Sequence, residues 1–309
     1  MASVSSISAS APGTLMLLGE HAVLHGRRAL ACAIDRRITV TLTPRVDREL
    51  RMESALGSHR THLDAIKDVH SFRFVTAVFR EREIEVRHGF DIEVRAEFPS
   101  TVGLGSSAAV TVACAKALDM HLEGNAGDQV LHQRCLRVVR FVQGAGSGAD
   151  LAAAIAGGVV AYRVDPYWVE SIHAQPPLVL VYSGSKTPTP EVIQIVESNR
   201  AQAPEEFDKL FDDMDRSIDK AVPAIRLEDW DTLGRLFGEN QRWMKALGVS
   251  NSALEDIVSR LCDSPGIHGA KISGSGLGDC VVAIGESVPE DLPYEAIPVS
   301  VCKEGARFE

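Results

Sequence analysis

An α+β fold in two domains is what this sequence predicts. Three observations carry it: period-2 alternation in the first third, a nearly unbroken run of small apolar residues after a glycine turn, and charged stretches of helical spacing in the second half. With 309 residues, 45% of them hydrophobic, the chain can bury a sizeable core without disulfides or metals. Ser10 to Leu18 mixes small and apolar residues around a Pro-Gly pair and runs into Gly19, and Arg37 to Thr43 alternates as RITVTLT, a strand with one wet face. Phe72 to Arg80 has the spacing of a short amphipathic helix, and Phe90 to Phe98 alternates again as FDIEVRAEF before Pro99. Ser106 to Met120 is almost purely small and apolar, which suits a helix buried on most sides, with serines in its first turn able to cap free amides. Asp128 to Val142 reads as a second helix, Gly144 to Gly148 as a turn ahead of Asp150, and Val159 to Tyr162 as an apolar run. Beyond Tyr162 the texture changes. A Val/Leu strand at Leu178 to Tyr182 is followed by helical stretches at Pro190 to Val222 and Leu227 to Leu247 and by a helix at Ala253 to Cys262. A glycine-rich turn at Ser273 to Gly278 then precedes strands at Cys280 to Ile284 and Ile297 to Val301. The change near residues 163 to 176 divides the chain into 1–165 and 166–309.

Charge and cysteine usage exclude several function classes. Acidic residues outnumber basic ones 42 to 32, a formal net charge of −10, which argues against nucleic acid as a partner while leaving room for a local cationic pocket for a phosphorylated ligand. No apolar run is long enough to span a bilayer, the richest segment, Ala145 to Tyr162, carrying Asp150, and Met1 to Ala11 lacks a cationic n-region. The expectation is a soluble, cytoplasmic chain with no membrane partner. Its six cysteines are scattered singly, without CxxC pairs or metal-ligand spacing, and read as reduced, mostly buried thiols.

Four segments carry candidate chemistry. In Pro99 to Ala108 (PSTVGLGSSA) glycines allow close backbone approach, and the amides and dipole at the following helix start favour a polyphosphate; read alone, the segment is more often a glycine turn with a capped core helix, since short glycine patterns are common. It matches neither GxxxxGK[ST] nor GxGxxG, which weakens P-loop and Rossmann readings. Glu20 and His21 end the strand from Ala11, side by side where small substrates are often held, or else as solvated turn residues. Asp150 opens an apolar stretch, as a helix-start carboxylate or as a desolvated base for a hydroxyl. Lys271 to Cys280 (KISGSGLGDC) holds a glycine loop that closes over phosphates or simply turns between β segments.

Taken together and in this order, APGTLMLLGEHAVLHG, PSTVGLGSSAAVTVA and AKISGSGLGDCVVAI resemble the three motifs of the GHMP-type small-metabolite kinases, over nearly the whole chain from Ala11 to Ile284. That resemblance implies two α+β domains with the active site in the cleft between them: an N-terminal mixed-sheet domain with a phosphate-loop helix, and a C-terminal α+β domain. It implies ATP and Mg2+ as cofactors, a small-molecule alcohol as substrate, and a homodimer as a family expectation. Carried over by motif, Gly103, Leu104, Gly105, Ser106, Ser107 and Ala108 would wrap the ATP phosphates, with Ser107 also meeting the metal. Asp150 would be the catalytic aspartate, and Glu20, His21, Tyr162, Arg163, Ser273 and Gly274 would line the substrate side.

Within the family, GEHAVLHG, GSGADLAAAIAGG and ALGVSNSALEDIV are similar to the mevalonate kinase branch, whereas Gly-Asp279-Cys280 and Val142-Gln143-Gly144 are similar to the phosphomevalonate kinases. The implied reaction is phosphorylation of the mevalonate 5-hydroxyl, with phosphomevalonate as alternative acceptor, a sugar 1-kinase third, and a ligand-binding member without catalysis as the different-class reading. Two positions depart from the branch: Thr14 stands where it usually carries a lysine, and Val139 where an acidic residue helps bind Mg2+.

Overall fold

The computed structural model describes residues 5–99, 102–289 and 291–309, so Ser100 and Thr101 of the first glycine motif lie outside the described residues. The first sheet starts from two long neighbours, β1 (Ile7–Leu18) and β2 (Ala29–Pro44), paired antiparallel with register shifts at Pro12/Gly13 and Met16/Leu18. β3 (Glu49–Ser54) and β4 (Gly57–His62) form a hairpin whose β3 runs parallel to β5 (Phe90–Ala96), and β5 pairs with β2. Farther along β2, β6 (Val159–Arg163) pairs with residues 29–32 and with β7 (Trp168–Ile172). The division expected between residues 165 and 166 therefore lies in the turn of this β6–β7 hairpin.

Three helices pack together beside that sheet, one of them directly on its strands. α1 (Arg73–Glu81) and α3 (Asp128–Gln143) flank α2 (Ser106–Leu122), which packs on β1 and β2. Ala, Thr, Val and Cys at the buried positions of α2 let it lie close to the strands, since none has a long side chain to clear. α4 (Ala149–Ala156), another alanine-rich helix, packs beside it on the same two strands. The starts of α2 and α4 thereby meet the middle of β1.

The second sheet runs β11 (Glu295–Ile297), β8 (Leu178–Tyr182), β10 (Cys280–Gly285), β9 (Ile267–Ser273), antiparallel throughout. It is covered by α7 (Trp230–Ala246) and α8 (Ser252–Cys262), with α5 (Thr189–Gln202) and α6 (Pro204–Arg226) completing that core. The stretch Pro190 to Val222, expected as one helical run, is two helices, because Pro204 opens α6 as a first-turn residue with no amide to donate backwards. The strand expected over Ile297 to Val301 is confined to β11, while Ser300 and Val301 cross back to bridge Asp35 and Ile34 of β2. A last short strand, β12 (Arg307–Phe308), pairs with β1. Cys32, Cys114, Cys135 and Cys280 are buried, Cys262 is exposed, and no disulfide links the described residues. Among these residues no helix is long and apolar enough to cross a membrane.

Candidate functional site

Where β1, α2 and α4 converge, Thr14 and Asp150 face each other across the first glycine loop. The Thr14 amide donates to Leu104 O (3.1 Å), tying loop to strand, and Thr14 Oγ1 donates to Asp150 Oδ1 (2.8 Å). Gly105 passes so close that a Cβ there would stand 1.9 Å from Thr14 Oγ1, and its φ of +64° is one that L side chains rarely adopt. Gly103, at φ +68°, is pressed against Asp279 in the same way, a Cβ falling 2.8 Å from that carboxyl group. The glycines of this loop are thus required by what they touch.

α2 begins without a side-chain cap and without an acidic residue in its first turn. Ala109 N is the first amide to reach a carbonyl four residues back, Gly105 O at 3.0 Å, which leaves the amides of Ser106, Ser107 and Ala108 with no partner in the helix. Ser106 and Ser107 remain partly accessible, so amides and hydroxyls together form an opening that favours an anion.

Beside this opening lie two carboxylates. Burial raises the pKa of Asp150, the charge of Glu20 adds to the rise, and the Thr14 hydroxyl and the Lys186 ammonium oppose it. Asp279 is 6% exposed and sits at φ +61°. Its pKa is raised by burial and by the charge of Asp150, against Lys186, whose Nζ lies 3.5 Å from Oδ1. Neither Lys186 nor Asp279 was among the expected site residues. Asp279 stood in the quoted Gly-Asp-Cys ending, whereas Lys186 follows a plain Gly/Ser turn that carries no signal.

The other expected residues divide. Glu20, 2% exposed, turns into the core, where it pairs with Lys271, itself 0% exposed, and accepts from Asn240 Nδ2 at 3.1 Å. Its carboxylate is occupied by the protein, so the expected contact with substrate is replaced by an internal ion pair between the end of β1 and β9. Burial pulls the Lys271 ammonium below its ordinary value and Glu20 opposes that. His21 donates from Nε2 to Ser275 O (2.8 Å) in the second glycine turn, and burial lowers its pKa, keeping the ring neutral. Ser273 Oγ donates to Met16 O (3.1 Å), while Gly274 remains partly accessible.

Tyr162 also departs from the expected role. It is 0% exposed, donates its hydroxyl to Ser147 O (2.7 Å) and packs on His132 and Tyr167, which leaves no surface for a substrate. Arg163 next to it is partly exposed, with a buried Nε that lacks a hydrogen-bond partner. Val139 is buried against the loop that precedes Asp150, so no carboxylate is available from that turn of α3. Among the described residues no group of three or more His, Cys, Asp or Glu side chains is placed to hold a metal by itself. A divalent cation here would take most of its oxygens from a ligand.

Comparison with known proteins gives three family models. The GHMP kinases N terminal domain matches residues 70–158, the GHMP kinases C terminal matches 221–293, and the galactokinase galactose-binding signature matches 2–44. The mevalonate kinase of Archaeoglobus fulgidus is 34% identical over 308 residues, covering 97% of this chain and 99% of its own. Among solved structures, a Listeria innocua protein superposes with a TM-score of 0.86 at 20% identity, covering 99% of both chains. The L. major mevalonate kinase, solved in complex with R-mevalonate, superposes with 0.75 at 24% identity over 94% of each chain. At these identities the superpositions establish a shared fold.

Proposed function

The chain belongs to the GHMP kinase family, and on that premise we propose that it transfers the γ-phosphoryl group of ATP to the 5-hydroxyl of (R)-mevalonate. The observation that carries the acceptor is the full-length similarity to an archaeal mevalonate kinase; the hydrogen-bonded Thr14–Asp150 pair beside the uncapped start of α2 supports the chemistry.

In this reading the amides of Ser106, Ser107 and Ala108 hold the phosphates, and Gly103 and Gly105 let the backbone approach them. The residues present fit Mg2+ entering with the nucleotide: the Ser107 hydroxyl is a hard oxygen donor at the mouth of the loop, and no side chain caps that end of the helix. Mg2+ bound there would neutralise charge on the β- and γ-phosphates. Asp150 accepts the proton of the acceptor hydroxyl as the oxygen attacks phosphorus, while Thr14 holds its carboxylate in one orientation. Because burial raises its pKa, Asp150 is closer to the pH of its task than an ordinary carboxyl, and activity should fall at a correspondingly higher pH on the acid side. Arg163, with its unpartnered Nε, is the fork proposed for the acceptor's carboxylate. Glu20 acts at one remove, by fixing the end of β1 through Lys271.

The test is a coupled ADP-release assay with ATP and Mg2+, offering (R)-mevalonate, 5-phosphomevalonate, galactose and homoserine, with the product position read by phosphorus NMR. Mevalonate 5-phosphate is the expected product. Turnover of phosphomevalonate alone would move the chain to that branch and make the Gly-Asp279-Cys280 ending the better guide. Galactose turnover would make the first-motif signature decisive, and silence on all four with intact nucleotide binding would overturn the kinase assignment.

A further inference from the structure

Lys186 lies on the loop that leaves β8 for α5, and that loop is laced to the second glycine turn. Ser183 N donates to Asp279 O (2.9 Å), Asp279 N donates to Ser185 O (2.8 Å), and Thr187 Oγ1 donates to Leu277 O (2.7 Å). Gly278 closes the contact: a Cβ there would stand 2.8 Å from Ser185 O and 3.0 Å from Lys186 Cα. The lysine backbone is therefore held by main-chain bonds to Asp279 on the side before it and by the Thr187 side-chain hydroxyl, bonded to Leu277 O, on the side after it. Its side chain, 36% exposed, reaches Asp279 from a position still open to water.

Asp279 itself abuts Gly103 of the first loop, so this lysine stands where the two glycine turns approach each other. Among the described residues, Asp150 feels the charges of Glu20 and Lys186, with the Thr14 hydroxyl on its carboxylate; Asp279 feels Asp150 and Lys186. Tyr182 and Cys280 lie beside Asp279 and are kept neutral, the burial of each raising its pKa. Two carboxylates that act on each other while partly withdrawn from water repel each other and any incoming polyphosphate. The contact also differs from an ordinary surface ion pair, because one partner, Asp279, is almost wholly withdrawn from water.

We propose that Lys186 is the positioning cation of the phosphoryl-transfer site: it neutralises the Asp279–Asp150 pair at the mouth of the first glycine loop, so that an anionic nucleotide can enter and Asp150 can serve as base. The opposition of Lys186 to the raised pKa of both carboxyls has the same sign. The base half of the proposal rests on the kinase reading given above; the nucleotide half does not.

Lys186→Met and Lys186→Arg separate the two. Titration calorimetry with the non-hydrolysable analogue AMP-PNP and Mg2+, without acceptor, should show affinity weakened by about tenfold in Lys186→Met and kept within about threefold in Lys186→Arg, the scale of one partly screened charge. With acceptor, the acid limb of kcat/KM should move to higher pH in the Met variant and return in the Arg variant; the Met variant should unfold at a lower temperature, because it strands buried Asp279, and both are assayed below their unfolding transitions. Wild-type affinity and an unmoved acid limb in Lys186→Met would overturn the proposal, as would an Arg variant no better than Met. Wild-type protein that binds AMP-PNP but turns over no acceptor would sink the kinase reading and leave the nucleotide arm to decide the role of Lys186.

Discussion

Two carboxylate–ammonium pairs hold the second glycine turn, and they are built in opposite ways. Glu20–Lys271 is sealed: both partners are within the core, Asn240 donates to the second Glu20 oxygen, and the neighbouring Gln241 accepts from Ile272 N (2.9 Å). Asp279–Lys186 is open: the lysine is partly in water, the contact is 3.5 Å, and a second carboxylate, Asp150, presses on the same space. A sealed pair has met its electrostatic demands inside the protein and can only hold elements together. An open one stays within reach of solvent and of any ligand that comes to the loop.

That contrast can be broken or sharpened by substitution. The largest effect belongs to the open side. Asp150→Asn should lower kcat by roughly 10²- to 10⁴-fold, the range of a lost general base, with AMP-PNP affinity at or above the wild-type value; near-native kcat would end the role given to Asp150. On the sealed side, Lys271→Met strands Glu20 as an unpaired buried charge and should cost about 3–5 kcal/mol of stability by urea unfolding, with Lys271→Met/Glu20→Gln recovering part of it. Equal loss in single and double variants would show that packing against Phe237, not charge, holds this lysine.

A smaller change is expected from Thr14→Val, which removes the hydroxyl that favours ionised Asp150. Asp150 should titrate still higher, so the acid limb of kcat/KM moves up in pH, and an unmoved limb would deny Thr14 that influence. The smallest is a matter of stability. A carboxyl whose folded pKa is raised destabilises the protein while it is ionised, above that pKa, and the penalty fades as pH falls through it. Asp150→Asn should therefore unfold at a slightly higher temperature than wild type at neutral pH, the gap closing on acidification, as followed by calorimetry.

Much of this molecule was legible in its sequence, for reasons that particular residues make plain. α2 announces itself because a helix buried on nearly all sides must be written in small apolar residues, and β5 because one wet face imposes alternation. The β3–β4 hairpin, ELRMES and GSHRTH, is too polar to show a period and was absent from the expected elements. Asp150 and the first glycine loop could be read from local wording. Glu20 could not be read as buried, because its partner Lys271 is brought to it only by the folding of β9 beside β1. Lys186 acquires its meaning from the backbone lacing to Asp279, a tertiary fact with no local spelling. Tyr162 was expected at the substrate side only from its place after Asp150 in the family pattern, and that pattern says nothing of where its hydroxyl goes, which is to Ser147 O.

Residues 302–309 close the outer edge of the first sheet. Cys302 exchanges backbone bonds with Ala33 and Gly158, Ala306 N donates to Ile155 O, and Glu309 N donates to Ser8 O beside the β12–β1 pairing. The first sheet is thus finished by a segment far along the chain from the strands it joins. Without that segment the outer side of β1 would present an unpaired edge, the kind of surface on which chains associate with one another.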